Sequence, residues 1–315
     1  MMDIVLDGHM GERFGTLVWS EADGIVSGVF SLFGFDDPVR GRRDGQRLEL
    51  KHILRTAVST LDCATVLKLD HDELARRAAE AGVKYLLVCG GSATDSVRAQ
   101  EFAERSIHTF FAAGVHPHEA EGFDGDCGVF RRLAESRRFC AVGEIGIDTY
   151  YGFSGVERQE QTLRIMLKLA LEFSVPAILH CRSAEGTSDA YEICYRLLSD
   201  FAADGGTFVV HCFAGTAEWM RKFADLGAYF GVGGMLTFKR SDNIREVVMQ
   251  MPEDRILLET DAPYLAPVPF RGKPNVPEYL PLVAYKLAEL KALPAAAVAE
   301  QTTANAFRLF RRAVR

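Results

Sequence analysis

From Val83 onward the chain repeats one pattern: a short continuous apolar run, a turn, then a segment with apolar residues every three or four positions. The apolar runs occupy 85–91, 109–115, 139–146, 176–182, 207–213, 229–235 and 255–261. Continuous hydrophobicity, in place of strict alternation, marks strands buried on both faces, as in parallel sheets. Between them lie segments such as RQEQTLRIMLKLALEF, where Leu163, Met166, Leu167, Ala170 and Phe173 fall at i, i+3, i+4, i+7 and i+10. That spacing predicts a helix with one apolar stripe packed on a sheet. Strand–helix alternation of this kind implies right-handed βαβ units.

Seven such strands suit either an open doubly wound sheet or a (β/α)8 TIM barrel, which needs an eighth strand from the first 80 residues. The barrel is the expectation. Its first strand is either MMDIVLDGH, at the start of the chain, or AVSTLDCATV at 57–66. Two helices, EYLPLVAYKLAELK and AAAVAEQTTANAFRLFRRAV, are expected after the last strand. No linker or repeat suggests a second domain. Residues 1–68 read as an irregular N-terminal segment containing the first strand, an extension or insertion, and 69–315 as the barrel.

With 48% apolar residues the chain can bury a large core, and its net charge of −7 excludes a broad basic surface for coating nucleic acid. A local basic groove stays compatible with that sum. Seven cysteines without a C-x-x-C read as reduced thiols of a cytoplasmic protein. The N-terminal residues lack a signal peptide's basic and apolar regions, and the most apolar run, IVSGVFSLFGF, is too short to cross a bilayer. CGGSATDS has neither a G-x-G-x-x-G nor a P-loop lysine, so no nucleotide cofactor is expected. The expected assembly is a monomer.

In a parallel barrel the functional face is built at the carboxyl ends of the strands. Glu144, His180, His211 and Asp261 each interrupt an apolar run just before its loop, at intervals of 36, 31 and 50 residues. The first two intervals match one βα unit and the third matches two, so all four converge on one rim. Two imidazoles and two carboxylates make a divalent-metal site with nitrogen and oxygen ligands. A carboxylate bridging two ions suits phosphoester hydrolysis by a metal-activated water. Singly, each residue reads as well as a hydrogen-bonded core histidine or a capping acid. Together they favour the metal, because buried charges are normally paired or ligated.

The blocks GVHPHEA, AVGEIGID, ILHCRSA, VVHCFAGT and LLETDAPYLAPVPFRGKPN resemble, in order and spacing, the TatD-like metal-dependent deoxyribonuclease family, over about residues 69–312. The resemblance implies an amidohydrolase-type TIM barrel and a divalent-cation-dependent nuclease. It implies that Glu144 bridges two metals, that His180 and His211 hold one, and that Asp261 holds the other and manages the attacking water's proton. It favours His116 for a substrate role, with His118 weaker. The implied ion is Mg2+, with Mn2+ or Zn2+ as alternatives, and the implied substrate is DNA, single-stranded or at 3′ ends. The chain departs from the family in lacking a H-x-H pair on either candidate first strand, where His9 stands alone. Val276 stands where the family commonly has glutamate, and Phe270 where some relatives carry histidine.

Around this core, Arg182 falls on the side of His180 and suits a phosphate, or else an ion pair with Glu185. Arg271 and Lys273 suit phosphates from a proline-stiffened loop, or simply solvent. Glu259, one layer below Asp261, reads as a supporting residue. Cys181 and Cys212 should face the helices as small core residues. The function expected is a metal-dependent DNase acting as an exonuclease. The alternatives are an ester or amide hydrolase (a deacylase) on the same scaffold, or a binding protein with a degraded metal centre.

Overall fold

The computed structural model describes the backbone of residues 2–6, 13–22, 25–32, 35–44, 47–55, 60–67 and 71–314, and side chains over 74–313. The chain divides into two units, Met1–Glu73 and Leu74–Arg315. In the first, strands β1 (Met2–Leu6), β2 (Arg13–Ala22), β3 (Ile25–Leu32), β4 (Phe35–Asp44), β5 (Arg47–Arg55) and β6 (Thr60–Leu67) form an antiparallel sheet in chain order. Two residues, Asp23-Gly24, separate β2 from β3 in sequence. Asp-Gly between two apolar runs is a strong hairpin signal, and the reading of 1–68 as irregular missed it.

The second unit holds the seven expected strands: β7 (Leu86–Cys89), β8 (Thr109–Ala113), β9 (Phe139–Asp148), β10 (Ala177–Arg182), β11 (Phe208–Val210), β12 (Tyr229–Val232) and β13 (Ile256–Leu258). They pair in parallel, each beside its chain predecessor. A doubly wound sheet reverses its strand order at a switch point; this one never does. Winding in one direction puts the helices on one face, which is the TIM-barrel arrangement. Both candidate first strands fall largely in the antiparallel unit: 4–6 pair with β2, and 60–66 pair with β5. Residues 7–9, His9 among them, lie outside the described residues. Among the described residues the parallel sheet has seven strands.

Two apolar layers hold this unit together. The larger joins one face of the sheet (Phe111, Val142, Ile145, Leu179, Val210, Phe230) to helix residues such as Leu163, Met166, Leu197 and Phe223. The helix Val156–Phe173 buries Leu163, Met166, Leu167 and Ala170, four of the five residues of the expected stripe. The smaller layer collects the alternate strand residues Phe110, Ala112, Ile178, Tyr229 and Leu257, together with Leu309 from the helix Ala295–Leu309. Asn305 of that helix is fully buried, and its side-chain amide donates to the carbonyls of Glu253 and Ile256 (2.8 and 2.9 Å). It ties the helix to the start of β13.

One irregularity positions the site. Between Ala177 and Leu179 on β10, the register on β9 jumps from Val142 to Ile145, one residue too many. A bulge of this kind re-aims the residues beyond it. Ile145 and Ile147 then join the helix-side core, so Glu144, Gly146 and Asp148 share the opposite face. Gly146 pairs with His180 at φ 152°, and a Cβ there would stand 1.9 Å from the His180 carbonyl oxygen. Only glycine fits. Gly146→Ala should therefore lower stability by about 3 kcal/mol or more, read as a fall in denaturant midpoint. A variant within about 0.5 kcal/mol of the parent would show that the strand spacing is not the constraint.

Candidate metal centre

Five strands deliver polar residues to the same rim. Glu144 and Asp148 come from β9 and His180 from β10, while His211 directly follows β11. Glu259 and Asp261 follow β13, and His116 and His118 follow β8. Glu144 is the meeting point: its Oε1 lies 3.0 Å from His180 Nδ1, and 3.7 Å from both His116 Nε2 and His211 Nε2. His211 Nε2 is also 3.5 Å from Asp261 Oδ1. The four residues singled out in the sequence thus stand together. Glu144, however, does not end its strand, because β9 runs on to Asp148.

Asp148 is the residue that sequence reasoning missed. Its side chain is fully buried, and its Oδ2 receives both His180 Nε2 (2.8 Å) and His118 Nε2 (3.0 Å). The available signal was the two-residue periodicity, which puts 144, 146 and 148 on one face. Glu259 does for His211 what Asp148 does for His180: its Oε2 is 2.9 Å from His211 Nδ1, while Oε1 accepts from the Cys212 backbone N–H. Each imidazole is oriented by a carboxylate on one nitrogen and presents the other to the centre, the arrangement typical of metal-bound histidines.

Cys212 departs from expectation. Its φ is +45°, and its sulfur sits with His211 and Asp261 in one group of potential ligand atoms, all within 4.8 Å. The alternation that sent it toward the helices holds only inside a strand, and β11 stops at Val210. Cys181, within β10, does pack against the large core. Two further groups of potential ligand atoms are His116–Glu144–His180 and His118–Asp148–His180.

The loop after Asp261 is pinned by Asn275, a buried residue whose side-chain amide donates to the carbonyls of Thr260 and Tyr264. Asp261 adopts the left-handed region (φ +58°), uncommon for a residue other than glycine and often found where a site imposes it. Arg271 and Lys273 are exposed on this loop, Arg271 lying over the Phe238 ring at 4.4 Å. Arg182 rests over the rings of Tyr150 (4.2 Å) and Tyr151 (4.8 Å).

The electrostatics are those of interlocked ion pairs. Burial opposes ionisation of Glu144, yet His211, His180 and His116 together hold its carboxyl well below the usual range. Asp148 is likewise held low, burial being outweighed by hydrogen bonds from His118 and His180 and from the Tyr151 backbone. For His180, burial works against the charge, but hydrogen bonds to Asp148 and Glu144 push its pKa up to about 9. Both of its ring nitrogens face a carboxylate, which only the imidazolium satisfies. Against the same burial, Glu259 and Glu144 raise His211 well above its ordinary value. His116 goes the other way: burial, then the charge of His180, keeps it neutral.

Two oriented imidazoles and several carboxylates within reach of one another suit a divalent cation by donor type and by charge. Fold and site together define a metal-dependent hydrolase on an amidohydrolase-type TIM barrel. The chain belongs to the TatD related DNase family, whose model matches residues 61–311. It is 36% identical to the metal-dependent hydrolase YabD of Bacillus subtilis over 243 residues, covering 77% of this chain and 93% of that protein. Identity to the 3′-5′ ssDNA/RNA exonuclease TatD of Erwinia tasmaniensis is also 36%, covering 78% of this chain and 96% of the relative. Among solved structures, the TatD homologue YJJV of Escherichia coli superposes with a TM-score of 0.70 at 33% identity, over 77% of this chain and 92% of that one. The family match begins inside β6, whose sequence TLDCATVL has no histidine.

At neutral pH the metal-free centre holds protons on His180 and His211 that a cation must displace. His180 has its pKa raised from 6.5 to about 9, so its proton stabilises the metal-free fold below pH 6.5 and is lost as pH rises through 9. Cation affinity should therefore rise about tenfold per pH unit for each proton displaced, levelling off above pH 9. Calorimetry in buffers of different ionisation enthalpy reads the protons released; a pH-independent affinity between 6 and 8 would contradict the protonated state described.

Proposed function

We propose that this chain is an exonuclease that removes nucleotides from the 3′ ends of single-stranded DNA, with one or two divalent cations held by Glu144, His180, His211 and Asp261. Mg2+ is the expected ion. The observation that carries the reading is the convergence of three imidazoles on Glu144 beside Asp261. The name of the Erwinia relative, a single-stranded DNA and RNA exonuclease, supports the substrate class.

When bound, the cation supplies Lewis acidity to a phosphoryl oxygen and makes a neighbouring water more acidic. The rest falls to the protein. Asp261, at 24% side-chain exposure the most open of these carboxylates, accepts the proton of the attacking water. Glu259 and Asp148 fix the rings of His211 and His180 through one nitrogen each, leaving the other for the cation. Neutral His116 lies 3.7 Å from Glu144 and is placed to donate a hydrogen bond to a phosphate oxygen. Arg271 and Lys273, on their exposed loop, meet phosphates further along the strand.

Among the described residues no helix is long and apolar enough to cross a membrane. The setting proposed is that of a cytoplasmic monomer. The proposal also takes the N-terminal segment, up to about residue 68, as an extension carrying the first stave near its end. The family match begins at residue 61, inside that segment, which supports a stave near its end. Removing residues 1–56 should then leave a soluble protein with unchanged cation binding. Aggregation of that truncation would instead place an essential stave within the deleted part.

Chelation with EDTA should abolish cleavage of single-stranded oligonucleotides, and Mg2+ or Mn2+ should restore it. Glu144→Ala and Asp261→Asn should each lower kcat by about two orders of magnitude or more, with melting temperatures within a few degrees of the parent. Full cleavage in excess chelator, with no carried-over metal, would remove the basis of the mechanism. Hydrolysis of carboxylic esters with no cleavage of nucleic acid would move the chain to the deacylase reading.

A further inference from the structure

Directly after Asp148 the loop runs Thr149-Tyr150-Tyr151-Gly152-Phe153, and its three aromatic side chains gather on the metal-centre rim. Tyr151 and Phe153 stack, with centroids 5.6 Å apart and planes 19° from parallel. Both meet the edge of the His118 ring, at 5.5 and 4.9 Å. Tyr150 stands in front of them, edge-on to Tyr151 at 4.9 Å and 49% exposed. The Arg182 guanidinium covers part of both tyrosine rings.

Tyr150 is a large aromatic left half exposed beside the candidate centre. It is also held in place. Asp148 Oδ1 accepts the backbone N–H groups of both Tyr150 and Tyr151 at 2.9 Å, while its Oδ2 receives His118 and His180. Thr149 donates its N–H to the Arg182 carbonyl, and its hydroxyl donates to Asp189. A single buried carboxylate thus fixes the aromatic loop relative to the residues around Glu144. The loop presents a half-exposed tyrosine with a guanidinium over its ring.

Resting on the nuclease reading above, we propose that Tyr150, backed by Tyr151 and Phe153 and flanked by Arg182, is a stacking platform for an unpaired nucleobase next to the scissile phosphate. Exposed aromatic rings joined to a guanidinium are the chemistry by which single strands are held without sequence readout. Arg182, held over both tyrosine rings, then serves the phosphate adjoining the stacked base. The platform makes the enzyme depend on a base that can leave its duplex partner, and makes it tolerant of which base that is.

The test compares single-stranded oligonucleotides that carry normal or abasic terminal nucleotides, on the full-length protein and on Tyr150→Ala and Tyr150→Trp. With the parent, KM for the normal oligonucleotide should be about tenfold below that for the abasic one. In Tyr150→Ala that ratio should fall toward one through a rise in the normal KM, with kcat changed less than about twofold. Tyr150→Trp should restore the ratio. Separately, in EDTA, a terminal 2-aminopurine should lose fluorescence on binding the parent and keep it on binding Tyr150→Ala. A parent KM ratio of one, or equal quenching by parent and Tyr150→Ala, would overturn the platform. If the parent cleaves neither oligonucleotide, the nuclease reading fails, and the 2-aminopurine arm still decides whether a base stacks there.

Discussion

His180 is held between two carboxylates of one strand, and the rest of the rim is arranged around that grip. Glu144 and Asp148 are four residues apart on β9, with their oxygens at 3.0 and 2.8 Å from the two ring nitrogens of His180. Regular pairing would not give this. The bulge after Val142 shifts the phase of β9 so that both acids face away from the helix layer, and Gly146 between them lets the His180 backbone come close. Without the bulge, the isoleucines at 145 and 147 would fill the polar pocket. Without glycine, β9 and β10 could not close on each other.

The grip also explains how so much charge is tolerated where water is scarce. Removing one partner of a buried ion pair typically costs about 3–5 kcal/mol, because the other charge is left uncompensated. Here three of the four acids have more than one partner. Glu144 is near His116, His180 and His211; Asp148 has two imidazoles and two backbone N–H groups; Glu259 has His211 and the Cys212 backbone. A cation held by these residues would replace protons and not fill an uncharged cavity, and the hydrogen bonds described already hold the side chains in place.

Period and run length made the seven parallel strands and the helical stripe readable, since burial on both faces leaves a plain signature in sequence. The clustering of Glu144, His180, His211 and Asp261 was readable for a related reason: a charged residue interrupting an apolar run has few structural excuses. Asp148 was hidden because a bulge is not written in hydrophobicity, and the strand was expected to end two residues sooner. Cys212 was misplaced because alternation was carried past the end of β11 into a residue with positive φ. The antiparallel strands before residue 68 were passed over because charged stretches such as RGRRDGQR mask the alternation, although Asp23-Gly24 was there to be used. What sequence conveys well is the regular part of a barrel; the site lies where regularity is broken.

A chain with a net charge of −7 that acts on a polyanion must confine its attraction to a few places. The rim shows how. Glu144, Asp148, Glu259 and Asp261 bring four carboxylates together, and protonated His180 and His211 balance only part of that charge. A divalent cation held there would supply positive charge in place of those protons, and Arg182 carries a further positive charge over the rings of Tyr150 and Tyr151. Since the long-range field stays weak, binding has to come from short-range contacts such as stacking and coordination. Those contacts fall off within a few ångströms, so they reward a base and phosphate that reach the rim together. A duplex keeps its bases paired and its phosphates on the outside, and cannot present both at once. On the platform proposed above, preference for a single strand would follow from the placement of one acid, Asp148, whose two oxygens tie His118 and His180 to the Tyr150–Tyr151 backbone.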